Sequence, residues 1–399
     1  MQRILLLLFA CLYAGVAGAA TLVNDVTLHD QTLPAIAVDG ETVYVVWQDG
    51  STFQADVRLA VSENGGLSFE PSVMPDEPAP FDQIAPDLAV APGGDLYLVW
   101  ADWRNEADYD LYLAVSEDHG ASFAAPRLAP AAVSGTQVEP SIAVGDDGTI
   151  YLAWADNRRS TAEDSGIRWD VRAAVSRDGG LTFADETTLN PADDVFALFP
   201  EIAATTDGAV AVWFDLSRRI WARVSRDGGV TWDEPIRLDL DEGARADFPR
   251  VAAAGDRIAV VWNDAAESAA GQDPSLVYSS GRCNDVYLAL SEDGGLTWST
   301  ATRVNSELQL NQQYPTAAFD GTALLVAWSD DRSVGDYTIQ GVVATSPWDW
   351  PAADTQWDDY AGVTLRDRPD LAGRALVWQD ARSGDWDIHF SWIEERAHE

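Results

Sequence analysis

The chain has 399 residues and not one lysine: all 25 of its basic side chains are arginine. Against 65 aspartates and glutamates these leave a formal charge of −40. A field of that sign repels polyphosphate and anionic lipid, which excludes nucleic acid and acidic membrane surfaces as partners. Cysteine is almost as scarce, with only Cys11 and Cys283 present. Long apolar runs are also lacking, save Ile4 to Val16, which is too short to span a bilayer. With Arg3 before it and Ala17-Gly18-Ala19 after it, that run reads as a secretory signal occupying residues 1–19. Leu8-Phe9-Ala10-Cys11 is a poor lipid-attachment site, because Phe9 fits badly and Cys11 comes early. Residues 20–399 would then form a single secreted or periplasmic domain. Its one remaining cysteine, Cys283, allows no intramolecular disulfide, so stability must come from packing.

Tryptophan, at 17 residues, is abundant by contrast, and it recurs because a unit recurs. Each unit opens with a proline and a short apolar run, at Pro34, Pro86, Pro140, Pro200, Pro249, Pro315 and Pro369. A turn follows, then a second apolar strand ending in Trp-x-Asp. Those endings are Trp47/Asp49, Trp100/Asp102, Trp154/Asp156, Trp213/Asp215, Trp262/Asp264, Trp328/Asp330 and Trp378/Asp380. Openings and endings interleave without a gap. Period-two patterning gives about four short strands per unit, the size of one propeller blade (~40–50 residues in common families). The expected fold is therefore all-β, a seven-bladed β-propeller.

The third strand of a unit runs into a compact turn, Ser62-Glu63-Asn64-Gly65-Gly66-Leu67-Ser68-Phe69 in the first copy. Counterparts begin at Ser116, Ser176, Ser225 and Ser291. The Asp side chain can accept turn amides, Gly supplies positive φ, and the closing aromatic packs under the hairpin. This S-x-D-x-G-x-[ST]-[WF] pattern resembles the Asp-box, or BNR repeat, of the sialidase superfamily. Asn64 replaces the Asp in one copy and His119 replaces a Gly in another, while Ser346 to Trp350 is only a remnant. The resemblance implies structural Asp-boxes and a site on the opposite face. It also implies six blades, as in catalytic sialidases, so a six-bladed ring is the alternative to the seven counted. The last unit lacks a fourth strand. Ala20 to Asn24, which resembles Thr302 to Asn305, is expected to complete it and close the ring.

On the face opposite the Asp-boxes, Trp-x-Asp is often followed by arginine: Arg104, Arg158, Arg218, Arg332 and Arg382. Three residues before the opening proline stand Gln31, Gln83, Gln137 and Gln312, with Arg366 in the same slot of the last unit. These residues are the candidate ligand-binding set. A bracing role is the competing interpretation, since half-buried charges need partners and Gln can satisfy link amides. Positions that break the repeat are further candidates: the loop Arg159 to Trp169, the insertion Ala265 to Arg282, and the links ending in Phe199, Asp247-Phe248 and Gln313-Tyr314. Aromatic and amide groups around a concave mouth suit sugar rings. Asp102, Glu106, Asp108 and Asp110 hint at calcium, but no known loop spacing matches. The four histidines, His29, His119, His389 and His398, form no ligand pattern, and no metal or other cofactor is expected.

Three functions remain open: a propeller binding a glycan or other polar ligand, an exo-sialidase or related glycoside hydrolase, and a protein-interaction scaffold. Hydrolysis as sialidases perform it implies an Arg triad, a Tyr nucleophile activated by Glu, and an Asp acid/base. The family's R-I-P motif is missing; Arg3-Ile4-Leu5 and Arg219-Ile220-Trp221 do not match it. Tyr314 is a conceivable nucleophile only by its place at a link on that face.

Overall fold

The alternating pattern folds as expected. A computed structural model describes all but residues 1–19, 53, 77–80, 132–133, 162–167, 192–195, 240–244, 266–283, 308–309, 334–335, 346–349, 360–363 and 395–399. Its described residues form 27 strands in seven antiparallel sheets and no helix. The leader, Cys283, Arg282, His398 and most of the two irregular loops lie outside the described residues.

The first sheet has three strands, Gln31–Asp39, Thr42–Asp49 and Asp56–Ser62, extended at its edge by a bridge between Leu59 and Val73. Five four-stranded sheets follow, opening with Gln83–Val90, Gln137–Val144, Ala197–Ala204, Ala246–Ala254 and Gln312–Asp320. The last sheet takes Arg366–Ala372, Ala375–Asp380 and Asp387–Trp392 from the C-terminal end and Thr21–Leu22 from the N-terminal end. Opening strands touch their neighbours around a full circle, the last against the first. The fold is therefore a closed propeller of seven blades.

Two features hold the circle. An apolar cluster straddles every neighbouring pair of blades, including the pair formed by blades 7 and 1. The seven repeat tryptophans are fully buried. The N-terminal strand is pinned by more than its ladder. Thr21 and Leu22 pair with Phe390 and His389, and the buried Asn24 accepts the Ile388 amide (2.7 Å) and donates to Asp387 (2.8 Å). Asn305 does the same in blade 5, accepting Val286 N–H (2.8 Å) and donating to Asp285 (2.8 Å). The likeness between residues 20–24 and 302–305 thus has a cause: the asparagine caps the third strand of its blade.

The Asp-boxes cap their own turns. Asp118 accepts the Ser122 amide (2.8 Å), the Ser116 hydroxyl (2.8 Å) and the Ser122 hydroxyl (2.6 Å). Those bonds, above all the ones from Ser122, hold its carboxyl at about 2, below the usual range. Asp178, Asp227 and Asp293 repeat the pattern. The second glycine of the turn has positive φ and abuts the previous blade. A Cβ at Gly229 would stand 2.4 Å from the Val175 side chain, so no larger residue fits there.

Candidate ligand site at the channel mouth

Strand direction separates the two faces of the ring. Asp-box turns lie on one face; the second-to-third-strand loops and the links into each opening proline lie on the other. The glutamines expected on that second face are fully buried, at 0–1% exposure. Gln31 accepts the Trp47 indole (2.7 Å) and donates to Asp49 (3.0 Å). Gln83 donates to Asp102 (3.1 Å) and Gln137 to Asp156 (3.3 Å), while Gln312 accepts the Asn305 amide (3.2 Å). Arg366 is equally buried, between Asp358 (3.3 Å) and Asp380 (3.5 Å). These five side chains hold the repeat together and do not line a mouth, which corrects the expectation that they bind ligand. A side chain at that slot points into its own sheet, because it pairs with the Asp that ends the second strand.

Most of the arginines are braces as well. Arg104 pairs with Asp102 and Asp76, Arg158 with Asp156 and Glu186, Arg332 with Asp330 and Asp354, and Arg382 with Asp380 and Asp359. Burial works against the Asp102 carboxylate, yet hydrogen bonds from Arg104 and Trp100 hold its pKa below the ordinary value. These four arginines stand in separate blades, each held by two carboxylates. Four of the five expected ligand arginines are corrected on that ground. Arg218 is the exception.

The acidic loop is spoken for locally. The Asn105 amide donates to Asp108 (2.6 Å) and Asp110 (2.7 Å), and Asp102 belongs to its Arg and Trp. Among the described residues, no group of three or more His, Cys, Asp or Glu could hold a metal ion.

What the link positions do bring together is an arc of seven bulges. The residue before every opening proline has positive φ: Leu33, Ala85, Glu139, Phe199, Phe248, Tyr314 and Arg368, all between 50° and 53°. The ladder slips its register at the same point in all seven blades. One residue is thereby ejected from each opening strand. Positive φ in bulky residues is costly, and the repeat imposes it at this position in every blade.

In blades 3 to 7 these ejected side chains touch in sequence. Glu139 accepts the Phe199 amide (2.8 Å). The Phe199 and Phe248 rings meet edge to face at 4.9 Å, and Phe248 and Tyr314 at 5.0 Å. The Arg368 guanidinium lies over Tyr314 at 3.9 Å. Behind the arc, Phe214 stacks on Phe199 at 5.6 Å, and Arg218 sits over Phe214 and pairs with Asp247. Burial raises Glu139 to about 7, against the pull of the Phe199 amide and Arg368, and raises Asp247 to about 6, against Arg218. Burial likewise raises Tyr314. No carboxylate among the described residues is hydrogen-bonded to the Tyr314 hydroxyl.

A second tier follows one residue past each proline: Ala35, Asp87, Ser141, Glu201, Arg250, Thr316 and Asp370. Arg250 donates to Glu201 (2.7 Å), and both are surrounded by protein yet reachable by water, with 34% and 22% of the side chain exposed. Burial raises Asp87 to about 6 and Glu201 to about 7. Sequence reasoning missed this tier. The signal was a polar or charged residue directly after the proline of an otherwise apolar run.

The repeat's own braces fail in blades 4 and 5, where the arc is most aromatic. Ala197 and Ala246 replace the buried glutamine, and no arginine stands two residues after Asp215 or Asp264. The buried indole N–H groups of Trp213 and Trp262 have no partner among the described residues. The Trp–Asp bond of blades 2, 3, 6 and 7 is replaced in the sector that presents Phe199, Phe214 and Phe248: Asp215 accepts the Trp221 indole (3.0 Å) and Asp247 pairs with Arg218.

A family model described as BNR repeat-like domain matches residues 41–326. Among solved structures, the fold is similar to an ulvan lyase of polysaccharide lyase family PL25 bound to -[GlcA(1-4)Rha3S]-, at 12% identity, TM-score 0.60 and 95% of each chain. It is also similar to the α-L-arabinofuranosidase arb93a from Fusarium graminearum, at 13% identity and TM-score 0.55, over 94% of this chain and 98% of that one. A protein of unknown function from Dyadobacter fermentans is similar at 14% identity and TM-score 0.54, over 82% and 97%. No curated protein matches the sequence. At such identities the likeness is one of fold.

Proposed function

The chain belongs to the BNR repeat-like domain family, and on that premise we propose that it is a carbohydrate-binding propeller whose ligand sits at the channel mouth across blades 3 to 7. One observation carries this reading: a continuous row of Phe199, Phe248 and Tyr314 rings, ended by Arg368 and Glu139, standing on bulges that aim all five at one mouth. Such rings stack on the C–H faces of sugars, while guanidinium and carboxyl groups bond their hydroxyls. Two structures of similar fold hold carbohydrate, the ulvan lyase with -[GlcA(1-4)Rha3S]- and the arabinofuranosidase with arabinobiose, which supports the reading. A scaffold role would have no need to concentrate aromatics on one arc of the ring.

A glycan array tests the proposal. Wild-type protein is expected to retain a defined set of glycans. Phe248→Ala should weaken retention at least tenfold, while Leu67→Ala on the Asp-box face should leave it unchanged. Equal loss in both variants, or no glycan retained, would contradict the site. Turnover of a fluorogenic sialoside that vanishes in Tyr314→Phe would instead establish the hydrolase.

A further inference from the structure

The closing strand ends in an unusual contact. The backbone nitrogen of Ala20 lies 2.6 Å from Oδ2 of Asp359, at the link between blades 6 and 7. The other oxygen of that carboxylate accepts Arg382 Nη2 at 2.9 Å. Ala20 is also the first residue after Ala17-Gly18-Ala19, a run of small side chains of the kind leader-processing endopeptidases accept. From Ala20 onward the strand is anchored step by step: the Thr21 and Leu22 ladder, the Val23 amide on Ile388 O (2.8 Å), and the Asn24 clamp.

We propose that the bond between Ala19 and Ala20 is a processing site, and that the α-ammonium released there locks the ring by pairing with Asp359. Hydrolysis places water's hydroxyl on the Ala19 carbonyl and leaves the amine, protonated at neutral pH, on Ala20. An uncut chain offers Asp359 only a neutral amide N–H. Cutting turns the same atom into a full positive charge at hydrogen-bonding distance, and Asp359 then bridges two cations from opposite ends of the chain. Charge-assisted bonds are about twice as strong as neutral ones. Cleavage therefore tightens the strand that closes the last blade. A cut elsewhere would not: removing Ala20 leaves nothing to reach Asp359, and extra residues leave the charge out of place.

Because the chain has no lysine, the α-amine is its only primary amine, and an amine-selective reagent reads this one group. The experiment takes protein exported from cells carrying the full gene. Intact mass and N-terminal sequencing are expected to give Ala-Thr-Leu-Val. Acylation kinetics against pH should then show an amine raised by about half to one pH unit above the ordinary ~7.7–8.0. Labelling near neutrality should be about three- to tenfold slower than in Asp359→Asn. Ring closure is read separately, by hydrogen exchange at Thr21 to Val23. Exchange should quicken several-fold on acylation of wild-type protein, and acylation of Asp359→Asn should add little. In sign, the ammonium's contribution is complete below the unfolded value near pH 8 and fades as pH rises through the folded one. A mature terminus other than Ala20 would overturn the proposal. So would equal labelling rates in wild type and Asp359→Asn, or strand exchange indifferent to acylation.

Discussion

Replacing Glu139 by Gln should stabilise the protein in alkaline solution and do little in acid. Burial keeps the Glu139 carboxyl protonated up to about 7, although the Phe199 amide and Arg368 favour its ionised form. In the unfolded chain it ionises near an ordinary value of about 4.3. Between those two values the folded state holds a proton that the unfolded state has released, so stability falls as pH rises through that window. At ~1.4 kcal/mol per pH unit, the full span corresponds to about 4 kcal/mol, an upper bound once relaxation and water entry are allowed for. A neutral amide in the same place still offers an oxygen to the Phe199 N–H and is never ionised. Urea unfolding of wild type and Glu139→Gln at pH 5, 7 and 8.5 checks this. Relative to wild type, the variant should gain about 1–3 kcal/mol between pH 5 and pH 8.5. A constant difference across pH, or a loss that grows with pH, would refute the idea that burial governs this carboxyl.

Three further outcomes follow from the braces. Arg366→Met removes the buried cation between Asp358 and Asp380, leaving Asp380 only Arg382; unfolding free energy should fall by about 3–5 kcal/mol in chemical denaturation. Arg332→Ala should lower the melting temperature yet leave glycan affinity within twofold in titration calorimetry, since its partners Asp330 and Asp354 lie within one blade. Asp293→Ala removes bonds from the Thr297 amide and hydroxyl and from Ser291; differential scanning calorimetry should show a melting temperature lower by about 2–5 °C, with glycan binding intact.

The blade count and the closing strand were legible because a repeat states itself seven times. Pro, Trp-x-Asp and the Asp-box each mark a fixed point on a blade, and Asn24 resembles Asn305 because both cap a third strand. The site was only half legible. Phe199, Phe248 and Tyr314 drew notice as departures from the pattern, and the bulges do bring them together. Arg104, Arg158, Arg332 and Arg382, and the glutamines with Arg366, misled because they recur. Recurrence in a propeller marks what each blade needs for itself: the Trp–Asp–Arg clamp serves blades 2, 3, 6 and 7 alike. Glu139 and Arg368 occupy the ejected position too, but only a seven-way alignment on the proline separates that position from its neighbours. The channel tier of Asp87, Glu201, Arg250 and Asp370 was hidden likewise, because each residue sits alone in an apolar run and meets its partners only in other blades.

Amide hydrogen exchange, with and without the glycan that the array selects, tests the mouth most directly. The account expects ligand protection at segments 137–141, 197–201, 246–250, 312–316 and 366–370, with the Asp-box turns at Ser116, Ser176, Ser225 and Ser291 unchanged. Protection centred on the Asp-box face, or spread along the outer strands while those five segments exchange as before, would contradict it.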